Sequence, residues 1–319
     1  MPRLGVVGTL VWDAIHGPDG GDPHNDWGGI AYSLAAWGAV APAGWTAVPI
    51  VKVGSDLSDD ARGFLSGLDG LATDEFVVTV PEPNNRVDLF YHDDSRRCER
   101  LTGGVPGWGA DELRSAALSC DAIYVNFISG WEIDRTAAKY LATDFEGARW
   151  CDVHSLILGV GSGGMREPRP VEDRAAWLRA FDLVQMNEDE LGFLSSAEGG
   201  RRGRLEDLLS EGPEAAFVTR GADGVEWAIA SGSRWLEGAE GGSSGSLEAE
   251  DLDGPGATDP TGCGDVWGIS CFASLLDGDS VPEAARRASR LAAVTAAHHG
   301  TAGLADRLAR ANRAGNTQR

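Results

Sequence analysis

Short apolar runs separated by amphipathic stretches constrain this chain most. "LGVVGTLVW", "VPIVKVG", "AIYVNFI", "ARWCDVHSL", "LVQMN" and "AAFVTR" each hold a strand-length apolar block. Between them lie "SDDARGFLSGL", "DELRSAALS", "DRTAAKYLATDF" and "VEDRAAWLRAF", whose apolar residues recur at helical spacing. Strands and helices in alternation make βαβ units around a buried, mostly parallel sheet, so the expected fold class is α/β.

Two regions break the rhythm. Residues 76–103, "FVVTVPEPNNRVDLFYHDDSRRCERLTG", alternate apolar and polar positions without helical spacing. They read as antiparallel strands outside the main sheet, either a cover over a ligand or a sheet extension. Residues 237–256, "EGAEGGSSGSLEAEDLDGPG", are acidic and rich in Gly and Ser, which predicts an exposed loop.

At 319 residues, 42% hydrophobic, the chain suffices for one large α/β domain or two modest ones. No apolar run approaches the length of a membrane span, and the N-terminus lacks a signal-peptide pattern, so the expected compartment is the cytoplasm. A net charge of −22 repels nucleic acid and anionic membranes. The five cysteines are scattered, with no CxxC pair, which argues against a disulfide framework or a structural zinc site. The eleven tryptophans are expected mostly in the core or at subunit contacts.

"DPTGCGD", residues 259–265, carries the most chemistry. Val266, Ile269, Phe272, Ala273 and Leu276 follow on one helical face, so a helix begins near Gly264. Its first amides lack intrahelical partners and point outward with the positive end of the dipole. Gly262 and Gly264 let an anion approach that backbone, a cradle suited to a transferring phosphoryl group. Asp265 beside it either accepts a proton from an attacking hydroxyl or merely caps the helix; spacing alone does not separate the two.

This stretch resembles the D-T-x-G-A-G-D signature of the ribokinase-like (PfkB-type) carbohydrate kinases, with a proline at the second position and cysteine in place of alanine. The resemblance implies that Asp265 is the catalytic base and that the amides of Gly262, Cys263 and Gly264 form the anion hole. Asp259 and Thr261 then lie near the nucleotide phosphates.

Other motifs follow in the family's order. Gly28 and Gly29 in "DWGGIAYSLAAWGA" match a Gly-Gly pair whose amides meet sugar hydroxyls, with Ser33 where the family has asparagine. Asp13, after the first strand, matches a carboxylate that binds two sugar hydroxyls; its bland reading is a turn-stabilising residue. Asn126 falls where a strand of such a sheet presents its C-terminal edge, the usual ligand side of open α/β folds. Asn187 and Glu190 in "QMNEDELGFL" resemble the N-x-x-E motif that organises Mg²⁺ through water; acids at helix starts are otherwise solvated caps. Thr219, Gly221 and Gly224 in "VTRGADG" resemble a nucleotide-contacting stretch, against the reading of a plain hairpin turn. His298 and His299, at an expected helix end before Gly300, interact with the dipole or line the adenine side.

The resemblance thus implies a single ribokinase-like domain over residues 1–319: a three-layer α/β/α body with a mostly parallel central sheet and a small β-sheet lid formed by residues 12–27 and 76–103. It implies an ATP- and Mg²⁺-dependent phosphotransferase acting on a hydroxyl, often a primary CH₂OH, of a sugar-like molecule. K⁺ occurs in parts of the family, and many of its lids pair into homodimers. The alternatives are a nucleoside kinase of the same fold and a non-catalytic nucleotide- or sugar-binding member. No G-x-S-x-G elbow accompanies Asp152 and His154, so a hydrolase triad is unsupported. "GVGSGG" lacks the Lys-Ser/Thr of a Walker loop.

Overall fold

The computed structural model describes residues 1–17, 21–73, 75–91, 97–236, 241–249 and 259–316. The strands are β1 (Arg3–Val7), β2 (Leu10–His16), β3 (His24–Gly29), β4 (Thr46–Gly54), β5 (Val77–Val80), β6 (Arg86–Tyr91), β7 (Arg97–Thr102), β8 (Ala122–Asn126), β9 (Ala148–Asp152), β10 (Leu158–Val160), β11 (Arg166–Pro168), β12 (Leu183–Asn187), β13 (Ala215–Thr219), β14 (Val225–Ile229) and β15 (Ser243–Leu247). The helices are α1 (Ile30–Val40), α2 (Ser58–Ser66), α3 (Ala110–Ala117), α4 (Arg135–Thr143), α5 (Arg174–Leu178), α6 (Glu188–Leu194), α7 (Gly200–Leu209), α8 (Cys263–Leu276), α9 (Val281–Ala296) and α10 (Leu304–Asn316).

A nine-stranded sheet in the order β15-β14-β13-β12-β9-β8-β1-β4-β5 forms the body. Among its described strands only β14 runs against the rest, pairing antiparallel with both neighbours. Side chains alternate between two cores. In β8, Ala122 and Tyr124 join the core beneath α1, α8 and α9, whereas Ile123 and Val125 join the core beneath α3, α4 and α6. Strands buried on both faces need apolar residues at every position, which is why these runs read as continuous blocks. The result is an α/β/α sandwich with a mostly parallel sheet.

Aromatic residues seat α8 on this sheet. Trp150 stacks on Phe217 at 5.2 Å, and Phe272 and Trp267 of α8 lie 5.5 Å from Trp150 and Phe217 respectively. A Cβ at Gly268 would lie 2.1 Å from Gln185 Oε1, so glycine is what lets the helix approach β12 this closely. Several of the tryptophans are accordingly core residues.

A second sheet, in the order β3-β2-β6-β7, stands apart. β2 pairs antiparallel with β3 and parallel with β6, and β6 pairs antiparallel with β7. Three local expectations change. "LGVVGTLVW" is two strands: the chain leaves the body sheet at Val7 and enters the small one at Leu10, because Gly8 and Thr9 turn it. Within 76–103, β5 extends the edge of the body sheet, and only β6 and β7 join the small one. Within 237–256, Ser243–Leu247 form β15, an edge strand held by backbone pairing to β14 that needs no apolar side chains; residues 237–240 and 250–256 lie outside the described residues. Among the described residues no helix is long and apolar enough to cross a membrane.

Candidate active site

The first turn of α8 is built by its own sequence. Gly262 takes φ 78°, a left-handed conformation natural to glycine, and a Cβ there would lie 2.2 Å from the Tyr32 ring. One Asp259 oxygen accepts the Thr261 amide at 2.9 Å; the other lies 3.3 Å from His299 Nδ1. Asp259 thus shapes the turn. The Cys263 amide bonds back to the Pro260 carbonyl at 3.2 Å, and the first helical bond runs from Val266 to Gly262 at 2.9 Å. No side chain caps this helix. Its dipole points out through this turn, where the Cys263 amide is already engaged.

Asp265 is half-buried, not sunk in the core. Its Oδ1 accepts Asn126 Nδ2 at 2.5 Å, and Asn126, ending β8, is fully buried. Gln185 Nε2 donates to the Gly264 carbonyl at 2.9 Å and Ser33 Oγ to the Asp265 carbonyl at 3.3 Å. Ser33 is fully buried, so its hydroxyl braces α8 from beneath, whereas the expectation was contact with substrate. A carboxylate oriented by the Asn126 amide, at a helix end, can take a proton from a hydroxyl while helix-end amides receive negative charge.

In β2, Asp13 is 6% exposed and lies against Gly28, where a Cβ would fall 1.7 Å from its Oδ2. Gly29, at φ 61°, turns β3 into α1, and a Cβ there would meet the Thr9 carbonyl at 2.5 Å. Tyr32 follows in the first turn of α1. Burial, then the carboxylates of Asp13, Asp259, Asp265 and Asp26, pushes its phenol well above the usual range, so it remains a donor. Burial, then Asp259 and Asp265, pushes the Cys263 thiol up to about 12, which leaves it neutral and a poor nucleophile.

Register places Asn126 beside Asp152 and Asn187 beside Thr219, all at the C-terminal edge of the body sheet. Asn187 and Glu190 cap α6 reciprocally: Glu190 accepts the Asn187 amide at 2.8 Å and Asn187 Nδ2 at 2.7 Å, and donates its own amide to Asn187 Oδ1 at 2.9 Å. His154 Nδ1 lies 3.5 Å from Glu190 Oε1, and the residue takes a positive φ of 27°. Burial, followed by Glu190 and Asp265, holds the Asp152 carboxyl well above the ordinary carboxylate range. Thr219 Oγ1 donates to the Met186 carbonyl at 3.4 Å. Gly221, at φ 53°, stands in open space, and Gly224, at φ 91°, makes the tight turn into β14.

Both histidines lie beyond α9, which stops at Ala296, so neither sits on the helix where sequence placed it. His298 Nε2 bonds to the Ala302 carbonyl at 2.7 Å and is part-buried, while exposed His299 reaches Asp259. Sequence reasoning passed over Tyr32 and Gln185, which spacing hides because their partners lie far along the chain. It also passed over Asp26, whose carboxylate accepts the Thr301 amide at 2.7 Å and ties β3 to the connection after α9.

Residues 163–307 match the model of the pfkB family carbohydrate kinases, a span that takes in Asn187, Thr219, Asp259–Asp265 and His298. No curated protein matches the sequence. The fold is close to ribokinase from Arabidopsis thaliana complexed with ribose and ATP (17% identity, TM-score 0.72, covering 98% of this chain and 99% of that one). It is equally close to a putative ribokinase II from E. coli in complex with ATP and Mg²⁺ (17% identity, TM-score 0.73, covering 99% and 100%). A pyrophosphate-dependent kinase in the ribokinase family, complexed with a pyrophosphate analogue and myo-inositol, superposes at TM-score 0.70 with 16% identity, covering 93% of this chain and 96% of that one. The chain therefore has the ribokinase fold, and its second half carries the pfkB carbohydrate kinase pattern.

Proposed function

We propose that this protein is a pfkB-type carbohydrate kinase that transfers a phosphoryl group from ATP to a hydroxyl, often a primary CH₂OH, of a small sugar or polyol. The observation that carries the reading is Asp265: a half-buried carboxylate, oriented by Asn126 at 2.5 Å, at the uncapped N-terminus of α8. Asp265 takes the proton of the attacking hydroxyl. The amides at the mouth of α8, Gly264 among them, receive the charge of the transferring group. General-base help of this kind is worth about 10²–10⁴-fold.

Asp13 and the Gly28–Gly29 turn hold the acceptor, and Asn126 keeps the base aimed. Thr219, Gly221, Gly224, Thr261 and His298 line the donor side, with Asp259 shaping the turn there. Among the described residues no three His, Cys, Asp or Glu side chains converge to hold a metal ion. Mg²⁺ keeps several waters and travels with phosphates, so Asn187 and Glu190 fit an outer-sphere hold on it. Bound there, Mg²⁺ supplies charge neutralisation to the phosphates. The small sheet covers the acceptor and excludes water; this reading carries with it a pairing of two chains through that sheet, checked by sedimentation.

The test is a product assay with D-ribose, myo-inositol and adenosine as acceptors, and ATP or pyrophosphate as donor, with and without Mg²⁺ and K⁺. Sugar or polyol phosphate formed from ATP supports the reading. Asp265→Asn is expected to abolish turnover and leave ATP affinity within a few-fold; near-normal turnover overturns the base assignment.

A further inference from the structure

Beside the proposed acceptor residues lies a group that the proposed chemistry leaves unused. Tyr32 is 2% exposed, and its ring lies against the Cα of Gly262 at the mouth of α8. The carboxylates of Asp13, Asp259, Asp265 and Asp26 all act on its phenol, Asp13 most strongly. Tyr32 follows the Gly28–Gly29 turn, against which Asp13 lies, and its ring packs on Gly262, three residues before Asp265, so it stands between the proposed acceptor carboxylate and the proposed base. Its neighbour Ser33 is turned away, buried and bonded to the Asp265 carbonyl.

We propose that Tyr32 is the specificity-determining residue of the acceptor site: its hydroxyl donates to an oxygen of a compact polyol, and its ring fills the room a nucleobase would need. The inference rests on the kinase reading and names the acceptor class for it. Carboxylates accept hydrogen bonds and cannot donate them, so a polyol that gives its hydroxyl protons to Asp13 and Asp265 still needs a donor for its own lone pairs. A neutral phenol supplies one. A site that bonds a substrate hydroxyl discriminates strongly, because its own groups stay unpaired with the wrong partner.

The experiment compares the wild type with Tyr32→Phe and Tyr32→Ala, using D-ribose, myo-inositol and adenosine. Tyr32→Phe keeps the ring and is expected to raise the polyol KM by about ten-fold, with kcat and the ATP KM within two-fold. Tyr32→Ala is expected to raise kcat/KM for adenosine relative to the polyol by about ten-fold or more. A polyol KM within two-fold of the wild type in Tyr32→Phe overturns the proposal, as does a loss confined to kcat, which would mean the ring only supports the Gly262 turn. If the wild type phosphorylates none of the three, the kinase reading fails separately. Calorimetric binding of the two polyols then decides Tyr32 itself: weaker binding to Tyr32→Phe supports the role, and equal or absent binding overturns it. The melting temperature of Tyr32→Phe controls for folding.

Discussion

Asn126 and Asp265, 139 positions apart in sequence, meet through an Nδ2···Oδ1 bond of 2.5 Å at the edge where β8 ends and α8 begins. A carboxylate on a helix end has several rotamers; this bond selects one. A hydrogen bond to a charged group contributes about 1.5–3 kcal/mol, so Asn126→Ala is expected to lower kcat about 10–100-fold with the ATP KM unchanged. Steady-state kinetics at saturating acceptor checks it. Asn126→Asp, which faces Asp265 with a like charge, should fall further.

Gly262→Ala meets two obstacles at once, a left-handed backbone at φ 78° and the Tyr32 ring 2.2 Å from the new Cβ. Strain of this kind costs about 1–3 kcal/mol before the clash is added. A lower melting temperature together with loss of turnover is the expected outcome; a wild-type melting curve would show that the turn rearranges freely.

Stability should also carry the signature of His154. Burial disfavours its charge, but Glu190, Glu99 and Asp152 outweigh that and push its pKa up from 6.5 to about 9. A group whose pKa is higher folded than unfolded stabilises fully below the unfolded value and stops doing so as pH rises through the folded one. The melting-temperature gap between wild type and His154→Gln should therefore be full at pH 6 and closed by pH 10, measured at constant ionic strength. A gap that widens with pH would contradict the pairing with Glu190.

Asp182, 6% exposed, accepts the Arg149 backbone amide at 2.8 Å and Arg234 at 2.6 Å, and also pairs with the Arg149 guanidinium. Only the Asp182 end of these pairs is deeply buried, with Arg149 17% and Arg234 45% exposed, so its removal costs what unsatisfied buried donors cost, about 1–3 kcal/mol. Asp182→Ala is expected to lose that much in urea unfolding without a specific change in KM.

Cys263, despite its place at the candidate anion hole, should resist alkylation. With its thiol pushed up to about 12, iodoacetamide at pH 7.5 is expected to leave it unmodified while exposed Cys98 reacts, read by peptide mass spectrometry. Rapid modification of Cys263 would refute the neutral thiol.

Much of this architecture was legible because local rules governed it. Continuous apolar runs gave the buried strands, and Gly262 followed by an apolar helical face gave the mouth of α8. What stayed hidden depends on distance or on backbone alone. Ser33 reads as a substrate contact and Gln185 as an unremarkable polar residue until folding brings each to a carbonyl of α8, 232 and 79 positions away. β15 has a loop-like composition and is a strand only because β14 offers it an edge. Gly8 and Thr9 look like the middle of one strand, and nothing in their pattern tells that the chain changes sheets there.

That change of sheets also limits how the small sheet can travel. β2 is leashed to β1, third from the β5 edge of the large sheet, by Gly8 and Thr9 alone, and β3 runs into α1 with no intervening residue. Two residues reach only about 7 Å when stretched. These two short connections hold that end of the small sheet within such a reach of the body, which leaves it little room to slide across the large sheet.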